Sequence, residues 1–171
     1  GLAPEIDKAL AKHGSSKVNL TSEEVDGFYY GFSNRTIWPL FHYFLEYSEF
    51  ELQSWETYKA VNQKFADAIL KVAGQNDTIW VHDYQLMLVP QMVREKRPNI
   101  SIGFFLHIPF PSYEIFRTMP WRKEVLMGLL GSDLIGFHTY DYERHFLSSV
   151  RRLLGLEVSF NDIYLEDRVI K

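Results

Sequence analysis

Short apolar runs with hydrophobic residues on both faces, helical periodicity in the stretches between them, and a length suited to one domain predict a three-layer α/β fold around a mainly parallel sheet. The chain has 171 residues, against a prior of roughly 100–200 residues per domain. It contains no internal repeat, low-complexity stretch or Ser/Gly-rich linker that would mark a boundary. The elements follow in order. A short helix is expected near Glu5–Lys12, stopped at Gly14. Thr21-Ser22-Glu23-Glu24 has the form of a capping box and should open a helix toward Tyr30. A second short helix is expected over Asn34–Tyr43, entered near Pro39.

From Ser54 the pattern becomes regular. Ser54 is placed to cap a helix in which Trp55, Tyr58, Phe65, Ala68, Ile69 and Val72 recur at mostly helical spacing, with Gly74 at its C-terminal stop. Thr78–Val81 reads as a strand, Leu86–Lys96 as a helix ended by Arg97-Pro98, and Ile100–Leu106 as a second strand. Ser112–Leu130 is helical with a break at Pro120, Asp133–Phe137 is a third strand, and Tyr140–Leu154 is a helix closed by Gly155. Leu156–Phe160 reads as a further strand, with shorter extended pieces near Lys17–Leu20 and Arg168–Ile170. Strands alternating with helices in this way give a Rossmann-type domain.

Composition removes several classes of function. There is no cysteine, so disulfides, thiolate nucleophiles and Cys-ligated metal sites are out. Eighteen Lys+Arg against 22 Asp+Glu give a net charge of −4, without the basic footprint of a nucleic-acid binder. No apolar run approaches the ~20 residues that span a bilayer, and the N-terminal residues lack a basic start and an apolar signal region. A soluble, intracellular protein is expected. The 16% of aromatic residues is the unusual feature. Gly-x-Gly-x-x-Gly, Walker A and Gly-x-Ser-x-Gly motifs are absent.

In an open α/β sheet, ligands meet the carboxyl ends of the strands, where loops and helix N-termini converge. Three predicted strands run into polar residues there: Trp80-Val81-His82-Asp83-Tyr84, Phe105-Leu106-His107-Ile108-Pro109-Phe110-Pro111 and Gly136-Phe137-His138-Thr139-Tyr140. Together they favour a ligand crevice over three unrelated loop contacts. Asp83 could accept two hydroxyl hydrogen bonds from a polyol, or merely cap the following helix. His107 is aimed by a loop that two prolines stiffen, or is a satisfied core histidine. His82 alternates with Asp83 and should face a neighbouring element, while His138-Thr139 reads equally as a helix start. The aromatic stretches Phe28–Asn34 and Trp38–Tyr43 offer flat faces suited to sugar rings, and equally a loop pinned by aromatic burial.

At these residues the sequence resembles glycosyltransferase family 20, the trehalose-6-phosphate synthases. The matching segments are Tyr29-Tyr30-Gly31-Phe32-Ser33-Asn34, Ile37-Trp38-Pro39-Leu40-Phe41-His42-Tyr43, Trp80-Val81-His82-Asp83-Tyr84-Gln85-Leu86, Gly103-Phe104-Phe105-Leu106-His107-Ile108-Pro109-Phe110-Pro111-Ser112, and Asp133-Leu134-Ile135-Gly136-Phe137-His138-Thr139. The likeness implies half of a GT-B enzyme, in which two Rossmann-like domains face a cleft and glucose passes from UDP-glucose to glucose 6-phosphate with retention. Residues 1–171 then form part of the N-terminal, acceptor-side domain. The family's Gly-rich loop would precede Gly1 and its nucleotide-sugar domain would follow Lys171, so the fragment alone is expected to be inactive.

Carried over by position, the resemblance implies that Tyr29, Trp38 and Asp83 bind the acceptor sugar. It puts His107, as the catalytic residue, and Ile108 at the reacting centre. Tyr30 stands where the family usually has Asn or His, so it stays a second candidate for the acceptor tyrosine. Neither cofactor nor metal is implied. The expected partners are the two substrates, with no nucleic acid or membrane; the parent is expected in the cytoplasm, with a homo-oligomer left open. Two alternatives keep the fold: another acceptor such as glycerol 3-phosphate, or a catalytically silent regulatory domain that only binds sugar phosphate.

Overall fold

The structure is a computed structural model and describes residues 3–171. Its helices are α1 (Ala3–Lys12), α2 (Ser22–Val25), α3 (Trp38–Phe41), α4 (Leu52–Val72), α5 (Val89–Lys96), α6 (Tyr113–Phe116), α7 (Arg122–Leu129) and α8 (Tyr140–Leu154). Its strands are β1 (Thr78–His82), β2 (Ser101–Phe105), β3 (Leu134–Gly136), β4 (Glu157–Ser159), β5 (Asp162–Leu165) and β6 (Arg168–Ile170). Strands β1, β2 and β3 pair in parallel in that order, with Val81 opposite Phe104 and Phe104 opposite Ile135. Parallel neighbours require a crossover, and helical segments supply each one here. This is the expected Rossmann-like α/β arrangement.

Side chains on β1 alternate between buried Ile79 and Val81 and outward Thr78, Trp80 and His82. The inward set joins Ile102, Phe104 and Ile135 in one core with Val61 of α4, Val93 of α5, Leu126 of α7 and Phe146 of α8. Trp80 and Leu134 lie outward and are about half exposed, at 46% and 47%. Among the described residues the helices therefore lie against one sheet face, two of the three expected layers. Trp80 can lie flat on the sheet because its neighbour is Gly103: a Cβ there would come within 2.1 Å of the indole ring.

The N-terminal edge of the sheet is closed by Arg94, which is 8% exposed. Its guanidinium donates to the carbonyls of Gly131, Pro98 and Ile100 and to Asp133 Oδ2, the last at 2.7 Å. A buried cation is tolerable only when its donors are used in this way.

Several local expectations are corrected. The capping box forms as read, Glu24 N–H donating to Thr21 Oγ1 and Thr21 N–H to Glu24 Oε2. The helix it opens does not end near Tyr30. It continues through twelve π-helical residues, Asp26–Ile37, directly into α3. Gly27 and Gly31 let this segment press against α4, since Cβ atoms there would fall 2.8 Å from Thr57 Cβ and 2.6 Å from Ser54 Oγ. Ser54 is not the cap of α4, which begins at Leu52, and its hydroxyl donates instead to Glu51 Oε2. Helix α5 starts at Val89, after a 3₁₀ turn over Tyr84–Leu86. Pro120 does divide α6 from α7, and Gly155 does close α8 in the left-handed conformation, at φ +69°.

Lys17–Leu20 forms no strand. Leu156–Phe160 supplies β4, but β4 pairs antiparallel in a separate β4-β5-β6 meander. That meander returns the chain to the main sheet, where Lys171 N–H donates to Asp133 O and Ile135 N–H to Lys171 O.

Candidate functional site

The candidate site is built on the carboxyl ends of β1 and β2 and on the π-helical segment beside them. Asp83, immediately after β1, has φ +74° and ψ 169°, a conformation that is essentially glycine-only and costs other residues about 1–3 kcal/mol. The surroundings hold it there. Asp83 N–H donates to Phe105 O at 2.9 Å. Its Oδ1 accepts from Tyr84 N–H at 2.9 Å and from His107 N–H at 3.2 Å. One carboxylate oxygen thus ties the two strand ends together, leaving Oδ2 for a ligand hydroxyl. The capping and ligand-binding readings of Asp83 are compatible, one for each oxygen.

Helix α4 fixes the loop that follows. Tyr58 is fully buried; its hydroxyl donates to Tyr84 O at 2.7 Å and accepts from Met87 N–H at 3.2 Å. Burial raises the pKa of this phenol well above its usual range, so the hydroxyl stays protonated as a donor. Asn62 adds three bonds, giving to Tyr58 O and Gln85 O and accepting from Leu88 N–H. The sequence marks Tyr58 only as an apolar position on a helix and does not single out Asn62. Their i, i+4 spacing puts both on one face, but nothing in the local pattern shows that this face meets the loop after β1.

Tyr84 links the strand-end loop to the aromatic segment. It is almost fully buried, and its hydroxyl donates to Asn34 Oδ1 at 3.1 Å. Its pKa is pushed up to about 12, first by burial and then by the nearby charges of Asp83 and Tyr29. Its ring packs 5.6 Å from that of Trp38, which also packs at a tilt against His42 at 4.2 Å. Trp38 is 44% exposed and Tyr29 42%, so both keep an open face despite this packing. Tyr30 is more exposed, at 54%, and packs edge-on against Tyr29. Of the two, it is Tyr29 whose charge bears on Tyr84.

His107 lies two residues beyond β2 and is exposed. Its Nε2 shares a hydrogen bond of 2.8 Å with Nδ1 of His82, and its ring lies 5.6 Å from that of His138. The structure thus gathers Asp83, His107, His82 and His138 at one sheet edge, with Trp38 and Tyr29 alongside through Tyr84. Ile108 differs. It is 5% exposed, with its side chain in the core, so what it can offer a ligand is backbone. Among the described residues no group of three or more His, Cys, Asp or Glu side chains is placed to hold a metal ion, and no helix is long and apolar enough to cross a membrane.

The site is an open shelf. The hollow lined by Gly74, Asn76, Arg97 and Pro98, of about 630 Å³, opens at the other, N-terminal end of the strands, away from this chemistry. What the shelf offers is a free carboxylate oxygen, imidazole nitrogens and two partly open aromatic faces, a set suited to a polyhydroxylated ring.

A sequence model described as Glycosyltransferase family 20 matches residues 3–171. The chain is 51% identical over 163 residues to alpha,alpha-trehalose-phosphate synthase [UDP-forming] 1 of Aspergillus fumigatus, an overlap covering 93% of this chain and 32% of that one. Among solved structures, the N-terminal domain of Candida albicans trehalose-6-phosphate phosphatase is 36% identical at a TM-score of 0.87, covering 99% of this chain and 37% of that one. A UDP-forming alpha,alpha-trehalose-phosphate synthase from Burkholderia xenovorans in complex with glucose-6-phosphate is 33% identical at a TM-score of 0.83, covering 88% and 34%. The chain spans about a quarter to a third of the length of the curated relatives it matches.

Proposed function

Because the chain belongs to glycosyltransferase family 20, we propose that residues 1–171 are part of the acceptor-side domain of a retaining enzyme that transfers glucose from UDP-glucose to glucose 6-phosphate, giving trehalose 6-phosphate. The observation that carries this reading is Asp83. A non-glycine residue is held in a glycine-only conformation, with one oxygen locked to the fold and the other unassigned. Strain of this kind persists where the surroundings over-determine it, and it clusters at ligand sites.

In the proposed reaction the acceptor's anomeric oxygen forms a bond to the glucose anomeric carbon on the face from which the diphosphate departs. The bond from that carbon to the diphosphate breaks, and the leaving diphosphate takes the acceptor proton. The protein's task in this scheme is placement and electrostatic stabilisation. Asp83 Oδ2 orients the acceptor hydroxyls. His107 hydrogen-bonds sugar hydroxyls near the oxocarbenium-like centre, Ile108 contributes backbone beside it, and Trp38 and Tyr29 shape the acceptor pocket. The same reading expects a soluble cytoplasmic enzyme.

The test is UDP release by the complete enzyme from UDP-glucose, with and without glucose 6-phosphate, and with glycerol 3-phosphate in its place. Release dependent on glucose 6-phosphate is expected. Asp83→Ala should lower kcat/KM by about 10- to 100-fold, the loss of a hydrogen bond to a charged group worth about 1.5–3 kcal/mol. Release that needs only glycerol 3-phosphate would replace the acceptor assigned here. The likeness to a domain of a protein named as a phosphatase favours one second reading, a silent sugar-phosphate-binding domain. Calorimetric binding of glucose 6-phosphate with no consumption of UDP-glucose would establish it.

A further inference from the structure

His82 ends β1 opposite Phe105, and His107 follows two residues later on the neighbouring strand's path. Alternation puts both rings on the outward face of the sheet with Trp80 and Phe105. Their rings are 5.1 Å apart and 26° from parallel, and His82 Nδ1 meets His107 Nε2 at 2.8 Å. Phe105, at 4.7 Å, and His138, at 5.6 Å, flank the His107 ring on its other sides. We propose that His82 is a positioning residue for His107: this bond fixes the ring's orientation, couples its tautomer to that of His82, and leaves Nδ1 as the nitrogen that meets a sugar hydroxyl. The proposal rests on the role given to His107 above.

A bond between two imidazole nitrogens needs a proton on one and a lone pair on the other. A neutral pair can satisfy it in two ways. Either His82 Nδ1–H donates and His107 carries its proton on Nδ1, facing the ligand as a donor, or His107 Nε2–H donates and its Nδ1 is a bare acceptor. In both, the state of the outer nitrogen follows the direction of the inner bond, so a hydroxyl at the reacting centre meets a fixed ring whose Nδ1 changes role only together with His82. The neighbouring polar groups leave this arrangement undisturbed. Asp83 Oδ1 is engaged by the main-chain N–H of His107 rather than by its ring, and the His138 imidazole, from just beyond β3, lies at a steep angle to the His107 ring. Nor is His82 serving the core, since it is solvent-exposed at the end of an outward-facing row.

The test compares His82→Leu, which removes the nitrogen, with His82→Asn, which keeps a short polar group near the Nδ1 position, both in the complete enzyme. For His82→Leu we expect kcat to fall about tenfold or more, the usual penalty for a loosened reacting group, with the KM for glucose 6-phosphate and the unfolding midpoint unchanged; His82→Asn should recover most of kcat. Nitrogen NMR of the His107 ring supplies a readout independent of turnover: the balance of its two tautomers should shift in His82→Leu relative to the parent protein. Wild-type kcat in His82→Leu, or a His107 ring signal unchanged by that substitution, would overturn the proposal. If the unsubstituted enzyme releases no UDP with glucose 6-phosphate, the functional reading fails instead, and the ring spectra still decide whether His82 governs His107.

Discussion

Replacing Asp83 by glycine and by alanine separates the strain at this residue from the bonds it makes. Both substitutions remove the carboxylate and with it the acceptor for Tyr84 N–H and His107 N–H. They differ in the backbone. At φ +74° and ψ 169° alanine keeps the Cβ penalty of about 1–3 kcal/mol, whereas glycine does not. Against this, alanine restricts the unfolded chain and gains about 0.4–1 kcal/mol at unstrained positions. The difference leaves Asp83→Gly more stable than Asp83→Ala by roughly 0.5–2 kcal/mol. Urea unfolding of the two variants side by side measures it directly, and both should lose sugar-dependent activity. An alanine variant as stable as the glycine variant, or more so, would show that this backbone carries no strain and would remove the main support for Asp83 as a ligand residue.

Three further outcomes follow from the packing. Tyr58→Phe leaves the buried Tyr84 carbonyl and Met87 N–H without their partner and should cost about 2–6 kcal/mol by chemical denaturation, at about 1–3 kcal/mol per stranded group. Gly131→Ala and Gly103→Ala should separate widely. The first drives a Cβ to 2.2 Å from the Gln91 backbone nitrogen, which cannot retreat, while the second meets the half-exposed Trp80 ring, which can swing outward. We expect Gly131→Ala to be poorly folded by circular dichroism and Gly103→Ala to fold with a cost of about 1–3 kcal/mol. Finally, Tyr84 titrates higher folded, at about 12, than unfolded, at its ordinary value of 10. Its contribution to stability is therefore complete below about pH 10 and lost as pH rises toward 12, which pH-jump unfolding monitored against a Tyr84→Phe variant would reveal.

The parallel strands and the crowding of polar residues at their ends were legible because they depend on local composition: apolar runs that end in His-Asp, His-Ile-Pro or His-Thr. The capping box and the Gly155 stop were legible for the same reason. What escaped was set by partners distant in sequence. Glu157-Val158-Ser159 reads as a short strand in isolation, and only its pairing with Asp162–Leu165 assigns it to an antiparallel meander. Trp80 looks like core until Gly103 gives it a surface to lie on. Asp83 carries no mark of its positive φ. Ser54 looked like a helix cap, yet Gly31 brings the π-helical segment so close that Ser54 is buried in the crossing.

The π-helical stretch makes chain length, as well as composition, a requirement of the site. Its buried large apolar side chains Phe28, Phe32 and Ile37 recur at intervals of four and five, wider than the three and four of an α-helix. Loss of one residue between Gly27 and Ile37 would let the stretch tighten toward α-helical spacing and turn everything after it about the axis by roughly 100°, one residue's share of a 3.6-residue turn. Trp38 would then leave Tyr84, though every side chain chemistry were kept. Related chains that keep these aromatics but differ by one residue in this interval should therefore hold a differently shaped aromatic shelf beside Asp83, and alignments that open a gap here should be treated as changes of site rather than of loop.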